Sequence, residues 1–210
     1  MQFNEAQIQA IQHNTGPCMV IAGPGSGKTT VLTHRVRYLI ERYGVNPSDI
    51  LVITFTKAAA EQMKLKFKGL SEGRNSAVTF GTFHAVFFTI LKAAYNYSAH
   101  CIIKPQIQHE FVKDQMCRLE LEYDDENEAV AGVLSEISCV KGEDVNIDEY
   151  ESRCIPPQSF RIMYRAYDDM LVRKHLIDFD DMIVQCRELL MQREDYRRAW
   201  QNKYKYILVD

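Results

Sequence analysis

The stretch that decides the fold is Ala22-Gly23-Pro24-Gly25-Ser26-Gly27-Lys28-Thr29. It fits the phosphate-loop pattern G-x-x-x-x-G-K-[ST], except that its first position is Ala. The apolar run Cys18–Ala22 precedes it and predicts a buried strand, while a helical pattern from Gly27 to about Tyr43 follows it. A glycine-rich loop between a strand and a helix is typical of sites that hold the phosphates of a Mg-nucleoside triphosphate, most often ATP.

Each residue type in the loop has a physical role there. Gly25 and Gly27 let the backbone turn so that successive N–H groups point at an anion. The helix that begins near Lys28 adds the positive end of its dipole. Lys28 is predicted to reach the β- and γ-phosphates, and the Thr29 hydroxyl to ligate Mg²⁺. Kinases, motors and GTPases share such loops, so the loop alone does not define the reaction.

A second candidate element is Tyr206–Asp210, an apolar run that predicts a buried strand ending in a carboxylate. This is the Walker B layout, in which Asp210 would hold the Mg²⁺ shell together with Thr29. The alternative is a strand that ends in a solvated Asp. With the phosphate loop upstream, the pattern favours Lys28, Thr29 and Asp210 as catalytic residues, and Thr29 and Asp210 as metal ligands.

Apolar runs and helical patterns alternate through the first hundred residues, which predicts βαβ units and a parallel sheet. The predicted elements are strands Ile50–Phe55 and Ala77–Phe80 and helices Lys57–Lys68 and Thr82–Tyr97. Strand runs vanish between residues 101 and 174, where the helical patterns are Gln106–Leu121, Glu128–Val140 and Gln158–Lys174. The sequence therefore predicts an α/β domain, residues 1–100 plus 175–210, interrupted by an all-helical insert, residues 101–174.

Charge is distributed unevenly along the 210 residues, whose net charge is −3. Residues 1–100 carry ten Lys/Arg and five Asp/Glu, whereas residues 101–176 carry nine and sixteen. A basic module is thus combined with an acidic insert. The six scattered cysteines indicate reduced, mostly buried thiols, and no signal peptide or membrane span is evident, so we expect a cytoplasmic protein.

Polar and aromatic residues follow two predicted strands, where ligand sites of parallel sheets gather. Phe55, Thr56 and Lys57 follow one strand, and Thr82 and His84 follow the next. Exposed rings stack on the bases of a single strand, and hydroxyls and lysines hold its phosphates, with further lysines at 64, 66 and 68. The alternative places Phe55 and Phe83 in the core and the lysines on a solvated helix face, and spacing alone does not decide between the two.

The start of the chain also has two interpretations. Asn4 can cap a helix with Gln7 as its capping-box partner, and Phe3 can then pack on Ile8. The Gln7 amide, a donor and an acceptor together, also suits the N6/N7 edge of adenine. The local pattern alone favours the cap.

In order along nearly the whole chain, these segments resemble the motifs of UvrD/Rep/PcrA-type superfamily 1 DNA helicases, in their N-terminal (1A/1B) portion. Asn4–Gln7 resembles the Q motif, Ala22–Thr29 motif I, Thr54–Met63 motif Ia, Thr82–Ala85 motif Ib, Asp178–Asp181 the DFDDL segment and Tyr206–Asp210 the start of motif II, within which the sequence ends. The resemblance implies a RecA-like P-loop NTPase sheet (1A) interrupted by an all-helical 1B subdomain. It implies that Gln7 contacts adenine, and that Thr30 lies where many members carry an Arg that packs on the base. It implies that Phe55, Thr56, Thr82, His84 and Phe179 face single-stranded DNA.

The function implied is that of the ATP- and DNA-binding part of an ATP-dependent 3′-5′ DNA helicase, with ATP, Mg²⁺ and a single-strand–duplex junction as ligands and DNA repair among its pathways. These residues alone are expected to be inactive in hydrolysis and unwinding. The alternatives are the N-terminal part of a RecB/AddA-like helicase-nuclease, or a non-catalytic nucleotide- and DNA-binding module. Motif Ia departs from the family pattern at Lys57 and Ala58. The charged face of the acidic insert is expected to point away from the DNA, or any DNA contact there to come from local basic residues such as Lys141.

Overall fold

The computed structural model describes residues 2–71, 77–143 and 145–210, and its sheet is small and parallel. The strands are β1 (Ile50–Thr54), β2 (Thr79–Thr82) and β3 (Tyr206–Val209), in the order β2-β1-β3. Thr54 lies opposite Thr82, and Ile53 lies opposite Val209. Because all strands point the same way, the residues that follow each of them lie at one edge of the sheet.

Two compact units can be distinguished, and the first is Met1–Val86 with Arg193–Asp210. It holds the sheet with α1 (Glu5–Gln12), α2 (Lys28–Tyr43), α3 (Lys57–Leu70), the start of α4 (Phe83–Tyr95) and α9 (Glu194–Lys203). Its core is built from apolar side chains of α2, α3 and the strands, with Val36, Leu39, Val52, Met63 and Phe67 buried. Packing of the buried central strand β1 against these side chains fixes the positions of the loops at the edge of the sheet.

The second unit, Phe87–Gln192, is helical. It contains the rest of α4 together with α5 (Pro105–Arg118), α6 (Glu126–Glu143), α7 (Pro157–Arg173) and α8 (Phe179–Gln192). Pro105 and Pro157 stand in the first turns of their helices, where a missing N–H costs nothing. Its core surrounds the fully buried Phe160, Met163 and Tyr167 of α7.

Most predicted elements are confirmed within a few residues, but the strand predicted at Cys18–Ala22 is wrong. These residues form no strand, and Met19 and Ile21 are 85% and 90% exposed. An apolar run predicts that a segment is buried, but it does not specify which neighbouring strand the segment pairs with. No described strand pairs with residues 18–22. Tyr206–Val209 is a strand as predicted, although only Leu208 in it is buried. Helices α8 and α9 were not predicted.

The compact units assign residues 87–100 and 175–192 to the helical unit. The subdomain bounds 1–100 with 175–210 and 101–174 therefore stay a proposal. The six cysteines are unpaired, and only Cys186 is buried, so the expected burial of most of these thiols is wrong. Within the described ranges, no helix is long and apolar enough to cross a membrane.

A buried ion cluster occupies the helical unit. The Lys141 ammonium donates to Asp178 Oδ2 at 2.8 Å and to Asp181 Oδ1 at 2.7 Å, and its side chain is 4% exposed. Tyr167 donates to the same Asp178 oxygen at 3.1 Å. Lys141 is therefore a partner of two carboxylates, and the expectation that it contacts DNA from the surface of the insert is wrong.

Asp178 and Asp181 also cap α8. The Asp181 N–H donates to Asp178 Oδ1 at 2.7 Å, and the Asp178 N–H donates to Asp181 Oδ2 at 3.3 Å. This is a reciprocal capping box in which both carboxylates share one lysine. Burial, and next the charge of Asp178, raises the pKa of the Asp181 carboxyl from 3.8 to about 6.

This shift predicts how stability changes with pH. Between about pH 4 and pH 6 the folded chain holds the Asp181 proton more tightly than the unfolded chain does, so the contribution of this carboxyl to stability falls as pH rises. Above about pH 6 the contribution is constant. We expect the free energy of unfolding of the wild type, relative to that of Asp181→Asn, to decrease across this window in urea titrations. A relative stability that rises with pH would contradict the assignment.

Candidate functional site

The phosphate loop turns through two glycines in the left-handed region, Gly25 (φ 75°) and Gly27 (φ 82°). Only glycine adopts these angles without strain, so the sequence requirement has a direct backbone cause. Among the described residues, apart from the two chain neighbours of each glycine, no heavy atom lies within 4 Å of the position that a Cβ would take at Gly23 or Gly25. The space beside the loop is therefore open to a ligand.

Lys28 begins α2 and folds its side chain back over the loop. Its ammonium donates to the carbonyl oxygens of Ala22 at 3.2 Å and Gly23 at 2.9 Å. Ser26 closes the same turn, its hydroxyl donating to the Gly23 carbonyl at 2.7 Å. A cation held at the mouth of the loop, beside the first N–H groups of a sixteen-residue helix, is an anion-binding arrangement.

A groove of about 700 Å³ adjoins the loop. Its lining includes Ser26 and Lys28, the end of β3 through Asp210, and the exposed segment with Val20 and Ile21. The Asp210 N–H donates to the Ile53 carbonyl at 2.9 Å, which places this residue just beyond the paired part of β3. Lys28 and Asp210 thus line one groove, a polar site with apolar walls of the kind that takes small ligands.

Gln7 connects helix α1 to the loop. The capping box is confirmed, because Asn4 Oδ1 accepts from the Gln7 N–H at 2.9 Å and Gln7 Oε1 accepts from the Asn4 N–H at 3.0 Å. Its Nε2 donates to the Ser26 carbonyl at 3.1 Å. An amide has two N–H donors and two acceptor lone pairs, so one of each is still available for a base edge. The cap and a nucleotide contact are therefore compatible. Phe3 packs edge-on against His34, with 4.8 Å between ring centres.

The residues present fit a Mg-nucleotide. Glycine turns, helix N–H groups and the Lys28 ammonium match phosphate oxygens, and the open space beside Gly25 admits them. The remaining predicted loop residues, Pro24, Thr29 and Thr30, lie in the turn and in the first turn of α2. Thr29 offers a hydroxyl and Asp210 a carboxylate, both oxygen ligands of the kind Mg²⁺ prefers.

Arg35 is a site residue that the sequence interpretation missed. It lines the groove and donates through Nη1 to the carbonyls of Ala10, at 2.9 Å, and His13. These bonds tie α1 to α2, and burial lowers the pKa of the guanidinium. The signal was its position seven residues after Lys28, two helical turns along the same face.

A second candidate surface lies where β1 and β2 end. Phe55 follows β1 and is 80% exposed, so the core alternative for this residue is wrong. Thr56 caps α3 by accepting from the Ala59 N–H at 3.2 Å, and Thr82 accepts from the Ala85 N–H at 3.2 Å. Each hydroxyl keeps its hydrogen to donate to a phosphate oxygen. His84 stands in the first turn of α4, partly exposed.

The four lysines of α3 do not share one face. Lys57, Lys64 and Lys68 are separated by seven and four residues and lie on one side, whereas Lys66 is rotated from Lys64 by about 200°. Lys57 lies 3.9 Å from Glu61 in a largely exposed pair. The Lys66 ammonium instead donates to the Thr30 hydroxyl at 2.6 Å. Lys66 therefore lies apart from the other three lysines, and the choice between a DNA counter-charge and a solvated helix face concerns Lys57, Lys64 and Lys68 on their shared side of α3.

Phe179 belongs to the helical unit. It is the first residue of α8, directly after the Asp178 cap, and it is 53% exposed. The ion cluster therefore fixes the backbone that presents this ring.

Comparisons with known proteins agree with the motifs. The sequence model of the UvrD/REP helicase N-terminal domain family matches residues 3–210. The chain is 34% identical to ATP-dependent DNA helicase Rep of Escherichia coli (strain K12), an alignment that covers 100% of this chain and 32% of that protein. It is 32% identical to the putative ATP-dependent DNA helicase YjcD of Bacillus subtilis (strain 168), over 99% of this chain and 28% of that protein. It is 30% identical to ATP-dependent DNA helicase PcrA of Staphylococcus epidermidis (strain ATCC 35984 / DSM 28319 / BCRC 17069 / CCUG 31568 / BM 3577 / RP62A), over 99% of this chain and 29% of that protein. The chain thus spans about a third of the length of these relatives. With its phosphate loop, the carboxylate that follows β3 and its exposed strand-end phenylalanine in family order, the chain belongs to the UvrD/Rep helicase N-terminal domain family.

Proposed function

We propose that this chain is the ATP-binding and single-stranded-DNA-binding N-terminal part of an ATP-dependent 3′-5′ DNA helicase. The phosphate loop carries the proposal, because its glycine turns and the Lys28 ammonium form an anion cradle at a helix start. Its relatives Rep and PcrA, which are named ATP-dependent DNA helicases, support the same activity. In this proposal residues 1–100 with 175–210 form the RecA-like 1A subdomain, and residues 101–174 form the helical 1B subdomain.

On the nucleotide side, Lys28 and the first N–H groups of α2 hold the phosphates. Thr29 and Asp210 hold the Mg²⁺, which neutralises charge on the phosphates when bound. Gln7 directs its remaining donor and acceptor to the adenine edge while its capping bonds stay intact. The roles of Lys28, Thr29 and Asp210 are thus orientation and charge stabilisation.

On the DNA side, the exposed Phe55 ring stacks on a base, and the Thr56 and Thr82 hydroxyls donate to phosphates. Lys57 supplies a counter-charge from the first turn of α3, and His84 lies at the neighbouring strand end. Phe179, which belongs to the helical unit, is a further candidate for stacking on a base. This surface suits a single strand, whose bases are exposed, better than a closed duplex.

The 210 residues by themselves are proposed to bind Mg-ATP and single-stranded DNA without hydrolysing ATP. Lys28 is exposed, and the groove beside it has exposed walls at Val20 and Ile21. Charged groups that stabilise a transition state act weakly in a site open to water. We expect a nucleotide titration to detect binding of Mg-ATP by the chain, whereas a phosphate-release assay with added single-stranded DNA detects no turnover. DNA-stimulated hydrolysis by these residues alone would overturn this part of the proposal.

Phe55→Ala is expected to weaken binding of an oligothymidylate by the 210-residue chain about fivefold to a hundredfold, because loss of one base–aromatic stack costs about 1–3 kcal/mol. Fluorescence anisotropy of a labelled oligonucleotide measures this. Leu65→Ala is the matched control, since Leu65 is 70% exposed in the same unit but cannot stack. Equal affinities of the Phe55 and Leu65 variants would remove Phe55 from the DNA site.

A further inference from the structure

Lys66 reaches the helix that follows the phosphate loop. It lies on the opposite side of α3 from Lys57, Lys64 and Lys68, and its ammonium donates to the Thr30 hydroxyl of α2 at 2.6 Å. Thr30 is the third residue of α2, directly after Thr29. A side chain from α3 is therefore held in the first turn of the phosphate-loop helix.

The Lys66 ammonium lies at the end of a series of residues along one flank of the phosphate loop. A Cβ placed on Gly27 would lie 3.7 Å from Gln7 Nε2 and 3.9 Å from Thr30 Cβ. Gln7 in turn donates to the Ser26 carbonyl. Gln7, Gly27, Thr30 and Lys66 thus follow one another along the flank, whereas the Lys28 ammonium lies across the loop carbonyls of Ala22 and Gly23.

The charge of Lys66 is not neutralised by its partner. Its bond is to a neutral hydroxyl, and it forms no ion pair with any carboxylate in the part of the chain that the structure describes. The positive charge of Lys66 affects its surroundings: burial, then Arg37 and then Lys66 lower the pKa of the nearby His34. An ammonium has three N–H donors, so two are available beyond the bond to Thr30.

We propose that Lys66 is a nucleotide-binding residue that donates a charge-assisted hydrogen bond to the nucleoside part of the bound ligand. The proposal rests on the proposed function, in which the phosphates occupy the side of the loop next to Lys28. The nucleoside then extends from the loop along the flank on which Gln7 lies, and Lys66 supplies a positive charge on that flank. Its acceptors are the ring nitrogens of the base and the ribose oxygens, which tripolyphosphate lacks.

The test compares two ligands on the 210-residue chain by calorimetric titration, Mg-ATP and Mg-tripolyphosphate. Lys66→Met is expected to weaken Mg-ATP about tenfold, the loss of one hydrogen bond to a charged donor, and to leave tripolyphosphate affinity unchanged. Lys66→Arg, which keeps the charge, should retain most of the ATP affinity. Lys104→Met is the control for loss of one positive charge, since Lys104 is an exposed lysine of the helical unit.

The outcomes separate this inference from the proposed function. Lys66→Met with wild-type ATP affinity, or with equal losses for both ligands, overturns the role of Lys66 while the phosphate site stands. A wild type that binds neither ligand overturns both. Because Lys66 is exposed, Lys66→Met is expected to keep the thermal midpoint of the wild type. If Lys66→Met does not fold, Lys66→Arg still tests the role of the charge, and a folded Lys66→Arg that fails to bind Mg-ATP would overturn it.

Discussion

Lys28→Met is expected to weaken Mg-ATP binding by the 210-residue chain about tenfold to a hundredfold. Methionine keeps the aliphatic length and removes the ammonium that lies 2.9 Å from the Gly23 carbonyl. A hydrogen bond to a charged group contributes about 1.5–3 kcal/mol, and each 1.4 kcal/mol is a factor of ten. The loss should be similar for tripolyphosphate, because Lys28 acts on the phosphates. Calorimetric titration of both ligands measures it.

Stability should be unaffected by this change, because the Lys28 side chain is exposed. A matching urea midpoint therefore shows that the lost affinity is not caused by unfolding. If Lys28→Met and the wild type bind Mg-ATP equally, the loop is a structural turn and the nucleotide proposal fails.

Lys141→Met is expected to destabilise the helical unit by about 3–5 kcal/mol, the cost of removing one partner from a buried ion pair. The ammonium satisfies two carboxylates, Asp178 and Asp181, whose side chains are 3% and 14% exposed. Without it, both remain buried beside each other and one must take up a proton. Loss of helical circular dichroism in urea reports the change.

Lys113→Met is the matched control for that prediction. Lys113 also forms a short pair, 2.6 Å to Glu126, but both side chains are much more exposed. An exposed pair of this kind contributes little to stability because water screens it. The triple variant Lys141→Met, Asp178→Asn, Asp181→Asn should recover part of the loss, since it removes the buried charges together. Equal effects of the two lysine variants would show that the cluster does not stabilise the unit.

The phosphate loop and the three strands of the sheet were predictable from sequence to within a few residues, because they depend on local residue types. Gly25 and Gly27 are needed for their positive φ angles, and residues 50–53 are apolar because both faces of their strand are buried. The capping box of Asn4 and Gln7 is similarly local. Such features require no knowledge of which distant segment is the neighbour.

Features that depend on a distant partner were not predictable. Cys18–Ala22 has the composition of a strand, but backbone pairing needs a neighbour at the right distance. The burial of Lys141 depends on Asp178 and Asp181, thirty-seven and forty residues away in sequence. Lys66 was grouped with the lysines nearest to it in sequence. The helical period places it on the other side of α3, where its ammonium donates to the Thr30 hydroxyl.

In the proposed function, ATP turnover at this loop in the whole protein is coupled to single-stranded DNA. The most direct measurement is the rate of ATP hydrolysis by the native protein, expressed from its own gene, with single-stranded DNA, with blunt duplex, and without DNA. We expect hydrolysis that single-stranded DNA stimulates strongly and duplex weakly, and that Lys28→Ala abolishes. Hydrolysis that is indifferent to single-stranded DNA, or that survives in Lys28→Ala, would contradict the account.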